Sequence, residues 1–361
     1  MRKIQIIFLL LLLTASVSYS QVSVPFNNKN IAYMGRVEIV NNECARIFWP
    51  GTSATLNFEG TSVSATLKNE NGPAYFYVII DGNGENAKKI NPENTKSNIE
   101  LVSGLPEGKH SVQLFKLTDN TTITDFYGFE LNDGAEVLKP DPLKKRKIEF
   151  YGNSITAGHG VDVPPGQNDS GDPKYFNNYL TYAARIARHY NAQYSCIARS
   201  GIGIMVSWFP AIMPEIYNRL NPGDPNSKWD FSKYTPDLVV INLFQNDSWI
   251  VNAPQNDQFK ARFGTTKPDE NKIIKAYQDF VMKIRKEYPK ASIICTLGSM
   301  DITQQGSPWP GYVEKAVKGL NDSKIYTHFM PYKNTPGHPK VMEQKVMADD
   351  LIQFIDQNIK W

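Results

Sequence analysis

The chain has 361 residues, 41% of them hydrophobic, enough for two ordinary domains with separate cores. Its 39 basic and 36 acidic residues leave a net charge of +3, too small to argue for a nucleic-acid partner. The basic run Lys144-Lys145-Arg146-Lys147 reads as a solvated linker face.

Residues 1–20 open with Met1-Arg2-Lys3, continue with an apolar stretch from Ile4 to Leu13, and reach the small-residue pattern Ser18-Tyr19-Ser20 before Gln21. This is the form of a cleaved secretory signal. The stretch falls short of the roughly 18 apolar residues of a membrane helix, and no later segment approaches that length. A protein exported to a periplasm or the cell exterior, with no membrane span, is therefore expected. Cys44, Cys196 and Cys295 are odd in number and widely separated, so no disulfide framework follows, and three buried thiols are predicted.

Over residues 21–140 the apolar pattern has period two. Val63, Ala65 and Leu67 alternate with Ser62, Ser64 and Thr66; Val112 and Leu114 alternate with Ser111 and Gln113. Turn signals at Glu59-Gly60, Asp81-Gly82-Asn83-Gly84 and Glu107-Gly108 separate the runs, which predicts a small all-β domain of jelly-roll type. Over residues 141–361, after Pro140-Asp141-Pro142, short apolar runs alternate with amphipathic helices. The runs are Ile148 to Tyr151, Gln193 to Ala198, Leu238 to Leu243 and Ser292 to Leu297. Helical faces are Leu180, Ala183, Ala184 and Ala187; Ile273, Tyr277, Phe280, Val281 and Ile284; and Met347, Leu351, Phe354 and Ile355. The pattern predicts a three-layer α/β domain with a mainly parallel sheet, whose ligand cleft lies at the carboxyl ends of the strands.

The residues just after those strands carry chemistry. Ser154 follows the first on the small-residue turn Gly152-Asn153-Ser154-Ile155-Thr156-Ala157-Gly158, Ser200-Gly201-Ile202-Gly203 follows the second, and Phe244-Gln245-Asn246-Asp247 the third. Thr335-Pro336-Gly337-His338-Pro339 precedes the last helix. A hydroxyl nucleophile, donors for an oxyanion and an imidazole base are the groups that acyl transfer needs.

In order and spacing these four blocks resemble the signatures of the SGNH (GDSL-type) hydrolases. The resemblance assigns Ser154 as nucleophile, the amides of Ser154 and Gly201 with the Asn246 side chain as oxyanion donors, and His338 as base. Gly35-Arg36, Phe48-Trp49-Pro50-Gly51, Phe58-Glu59-Gly60-Thr61-Ser62, Tyr179 to Ala184 and Tyr234-Thr235-Pro236-Asp237 extend it to carbohydrate esterase family 2. That resemblance implies a small jelly-roll joined to an SGNH hydrolase domain, an acetylated polysaccharide or oligosaccharide as partner, and deacetylation as the reaction.

Three departures carry expectations. Asn153 stands in the place of the usual aspartate and keeps its hydrogen-bonding capacity. Phe244 and Gln245 replace Gly-Thr, so the Phe244 ring is expected to narrow the acyl pocket or to form a wall for sugar. Thr335 and Pro336 occupy the places of the acid that normally precedes the histidine. A Ser-His dyad is expected, with a backbone carbonyl near His338 taking its Nδ1 proton and Asp247 and Asp301 as lesser candidates for a third member.

Trp249 and Trp309, with Trp208 and Tyr312, are candidates for stacking on sugar rings. Gly201-Ile202-Gly203 lacks the third glycine of a dinucleotide loop, with Val206 in its place. No His, Cys or carboxylate grouping has metal-ligand spacing, so neither metal nor cofactor is inferred. His328 reads as structural. Two rival readings are a glycan-binding protein with a degenerate SGNH half and a lipase-like acylhydrolase.

Overall fold

The computed structural model describes residues 21–361. The secretory signal predicted over residues 1–20 lies outside them. Among the described residues no helix is long and apolar enough to cross a membrane.

The period-two half forms two six-stranded sheets whose pairings are all antiparallel. Strand Val63–Asn69 shows why: its burial alternates, with Val63, Ala65 and Leu67 inward and the intervening residues half-exposed. These three share one core with Ala54, Leu56 and Phe58 of the other sheet, with Phe76, and with Phe126 and Phe129.

The second half is built on a five-stranded parallel sheet. Its strands are β1 (Lys147–Gly152), β2 (Gln193–Ala198), β3 (Leu238–Asn242), β4 (Ser292–Leu297) and β5 (Ile325–Phe329), in the order β2-β1-β3-β4-β5. The sequence pattern predicts the first four. β5 escaped it because four of its five residues are only half-buried, so it lacks a continuous apolar run.

Successive residues of the inner strands face opposite layers. Tyr151, Val239, Ile241 and Ile293 pack under α4 (Glu270–Glu287) and α5 (Trp309–Leu320), while Phe150, Val240 and Ile294 pack under α2 (Tyr182–His189) and α6 (Val341–Asn358). The three predicted helical faces lie on α2, α4 and α6, except that Leu180 belongs to a short 3₁₀ turn before α2. Cys44, Cys196 and Cys295 are buried free thiols.

The sandwich clasps this sheet at its β2 side. Phe48 and Trp49 join the core on one face; Phe115 and Leu117 join the core on the other. Between the two cores Arg36 passes into the hydrolase half and is buried with Glu149 of β1 at 3.5 Å. Its guanidinium donates to the carbonyl oxygens of Tyr217 and Arg219, and Glu149 also accepts from Ser195 Oγ (2.7 Å), Tyr288 Oη (2.8 Å) and Tyr151 Oη. Lys116 Nζ is likewise buried, and donates to the carbonyl oxygens of Phe48 (2.5 Å), Asp119 (3.0 Å) and Thr122.

Candidate active site

The strand order reverses at β1, so the crevice expected of an open parallel sheet lies beyond the ends of β1, β2 and β3. Ser154 begins α1 (Ser154–Ala157) directly after β1. Asn153 caps that turn, its Oδ1 accepting from the Ile155 amide at 3.0 Å. The cap needs only a side-chain oxygen, which explains why an amide serves where a carboxylate is usual.

His338 lies in the loop before α6, and its Nε2 stands 2.9 Å from Ser154 Oγ. Its Nδ1 stands 2.7 Å from Asp169 Oδ2, and the same oxygen accepts from the His338 backbone N–H at 2.7 Å. Burial pushes the Asp169 carboxyl up, but the hydrogen bonds from His338 outweigh it and hold the group below the ordinary carboxylate value. Gly337 sits so close, with φ at +72°, that a Cβ there would stand 2.9 Å from Asp169 Oδ2. The expectation that a backbone carbonyl takes the Nδ1 proton is thus corrected: a carboxylate faces it, from a loop on the opposite side.

Neither lesser candidate is that carboxylate. Asp247 is buried in α3 (Gln245–Ile250) and accepts from the backbone amides of Ile204, Met205 and Val206 at 2.7–3.1 Å. With no cation beside it, burial pushes its carboxyl up to about 6 despite those bonds. Asp301 accepts from Gln245 Nε2 and Trp249 Nε1, both at 2.8 Å. In the places of the missing acid, Thr335 and Pro336 lend their carbonyl oxygens to Lys333 Nζ.

The remaining strand ends carry the residues expected as donors. Gly201, at φ +80°, turns the chain after β2, and Ser200 N–H is tied to Asp119 Oδ2 of the sandwich at 3.0 Å. At Gly203 a Cβ would stand 2.0 Å from the Val206 carbonyl oxygen, so the loop closes on itself only with glycine there. Asn246 begins its amide network on both sides: Oδ1 accepts from Trp208 Nε1 at 3.0 Å, and Nδ2 donates to the Ile202 carbonyl at 2.8 Å. That fixes which atom is nitrogen and leaves one Nδ2 hydrogen outside these two bonds. Trp208 is 49% exposed, so its indole orients the amide and still offers a face to solvent.

Known relatives sort the same way. The profile of the carbohydrate esterase 2 N-terminal family matches residues 33–141, and that of the GDSL-like lipase/acylhydrolase family matches residues 150–323. A family two carbohydrate esterase from Clostridium thermocellum, an active site mutant, has 32% identity and a TM-score of 0.80, covering 92% of this chain and 100% of that one. The chain belongs to carbohydrate esterase family 2. It is also 34% identical over 349 residues to the cellulase/esterase CelE of Acetivibrio thermocellus, spanning 93% of itself but 40% of that longer relative. An acetylxylan esterase / glucomannan deacetylase of Cellvibrio japonicus is 23% identical, over 96% of this chain and 94% of that one.

In this family-2 esterase the aromatic candidates divide. Phe244 is fully buried, its ring packed on Tyr277 (centroids 4.8 Å apart) and Trp309 (5.0 Å). The expectation that it forms a sugar wall is corrected: the residue adopts φ +80°, and its side chain turns into the core. Trp249 borders a depression of about 400 Å³ with Asp301 and Gln304; Trp309 also lines it, but its ring is buried in the core with Phe244, which corrects its place among the sugar-stacking candidates. His328 pairs with Asp350 at 2.6 Å and stacks on Phe354, away from Ser154's partners.

Sequence reasoning missed Asp169, Asp119 and the Trp208–Asn246 bond. It also missed His159, whose ring packs on that of His338 with centroids 4.2 Å apart. Burial, and the charge of His338 next to it, push the His159 imidazole down to about 4.

Proposed function

We propose that the chain is exported and removes O-acetyl groups from plant-type polysaccharides or oligosaccharides through an acyl-enzyme on Ser154. The observation that carries this reading is the 2.9 Å approach of His338 Nε2 to Ser154 Oγ, with Asp169 on the other ring nitrogen. His338 Nε2 accepts the hydroxyl proton as Ser154 Oγ bonds to the acetyl carbonyl carbon. The oxyanion is met by the amides of Ser154 and Gly201 and by Asn246 Nδ2. The bond to the sugar oxygen then breaks, that oxygen takes the proton from His338, and water releases acetate by the same steps. Asp169 holds the ring with its proton on Nδ1 and stabilises the imidazolium.

The substrate class rests on relatives whose names specify acetylxylan and glucomannan, and on a relative solved with cellohexaose. The rival reading of a disabled glycan binder drew on Phe244 and the absent acid. Phe244 points away from solvent, and Asp169 stands where an acid is needed.

Acetate release from acetylated xylan, acetylated glucomannan and simple acetylated sugars tests the proposal. Ser154→Ala is expected to lower kcat by about 10⁴-fold or more on whichever substrate the native chain turns over. Native-like turnover in that variant would sink the assignment.

A further inference from the structure

We propose that His159, Asp169 and His338 form a binding site for a divalent transition-metal ion, with zinc as its reference ion, and that occupancy switches the enzyme off. A ring nitrogen of each histidine and a carboxylate oxygen of Asp169 all lie within 4.8 Å of one another. Donors on one tetrahedral zinc stand roughly 3.3 Å apart, given bonds of about 2.0–2.1 Å, so a contraction of at most about 1.5 Å brings the set together. His159 Nδ1 is buried and has no hydrogen-bond partner, so one ring nitrogen has no protein bond to give up.

The donor set selects the class of ion. Two imidazoles and one carboxylate suit zinc, copper or nickel, whereas calcium and magnesium seek six or more oxygens. Three protein ligands also leave a coordination position open. The three residues are scattered along the chain, which is why no ligand spacing appears in the sequence.

Inhibition follows from the electron count of the imidazole, and rests on the role given above to His338 as base. A neutral ring has one in-plane lone pair. If the ion takes Nε2, the atom facing Ser154 is occupied. If it takes Nδ1, the ring proton moves to Nε2, which then donates to Ser154 Oγ instead of accepting from it. Proton count and charge on the ring are unchanged in either case, and the hydroxyl loses its acceptor.

The test uses the full chain stripped with a chelator, titrated with zinc against a chromogenic competitor while acetate release is read in the same samples. One zinc per chain is expected, with activity falling in step with occupancy and returning on adding EDTA. Equal concentrations of magnesium or calcium should leave the rate unaltered. His159→Asn and His159→Phe should each weaken zinc binding and inhibition by tenfold or more, each measured against its own zinc-free rate. Cobalt(II) bound to the native chain should give the visible bands of a four-coordinate site, a readout that needs no variant. Absence of stoichiometric binding, native-like zinc response in both variants, or an occupied chain that stays active would overturn the proposal. Zinc bound in a His159-dependent way by a chain that releases no acetate from any substrate would uphold the site and overturn the proposed function instead.

Discussion

Two aspartates, Asp247 fully buried and Asp169 half-buried, behave oppositely. Asp169, on the nucleophile side, gathers one backbone amide and one imidazole N–H, and its carboxyl is held low. Asp247, on the oxyanion side, gathers three backbone amides and no charged partner, and its carboxyl is pushed up to about 6. At Asp247 full burial outweighs three amide dipoles, whereas at Asp169 a lesser burial is outweighed by the hydrogen bonds from His338. The difference separates a carboxylate fitted to a reaction from one fitted to shaping a loop.

The comparison is most open to attack at Asp169. If its carboxylate stabilises the imidazolium, Asp169→Asn should lower kcat by roughly 10²- to 10⁴-fold with little change in KM, because the amide favours the wrong tautomer. Acetate-release kinetics at saturating substrate decide it. A loss below about threefold would return the site to a dyad. Asp247→Asn should act on stability first. The amide leaves one of the Ile204, Met205 or Val206 N–H groups without an acceptor, at a cost of about 1–3 kcal/mol in urea unfolding at pH 4–5.

The pH dependence of that cost sharpens the contrast. Asp247 has a folded value of about 6, above the ordinary 3.8, so between these limits the folded chain binds more protons than the unfolded one. Its contribution therefore falls as pH rises through that window. The asparagine has no such term, so its deficit against the native chain should shrink from pH 4 to pH 7. Asp169 has the opposite sign: its contribution is present above the ordinary carboxylate value and is lost as pH falls through its lowered one. Unfolding midpoints across pH 4–7 check the sign at position 247, and midpoints taken below pH 4 check the sign at position 169; a deficit that grows with pH at position 247 would refute the first.

Much of this architecture is legible in the residues because it follows periods and strand ends. Val63, Ala65 and Leu67 announce an inward face, and Ser154, Gly201 and Asn246 each follow an apolar run that becomes a strand. What is not legible depends on loops without period. Asp169 lies among Pro164, Pro165, Gly166 and Gly171, and is 169 positions from the histidine it meets. From its place in the motif Phe244 reads as narrowing the acyl pocket or as a wall for sugar; its ring lies in the core on a left-handed backbone, which no propensity favours for a bulky residue. The Trp208 bond to Asn246 joins the long loop after β2 to the start of α3 and carries no local signal.

The passage of Arg36 into the hydrolase half has a consequence for modularity. Cutting the chain between its halves would leave the Glu149 carboxylate buried in an inner strand of the parallel sheet, with three hydroxyl donors but without its guanidinium. Removing one member of a buried ion pair costs about 3–5 kcal/mol, a large part of a typical domain's stability. The hydrolase is therefore no cassette that recombination can lift out alone; shuffling this gene among larger polypeptides would have to carry both halves together.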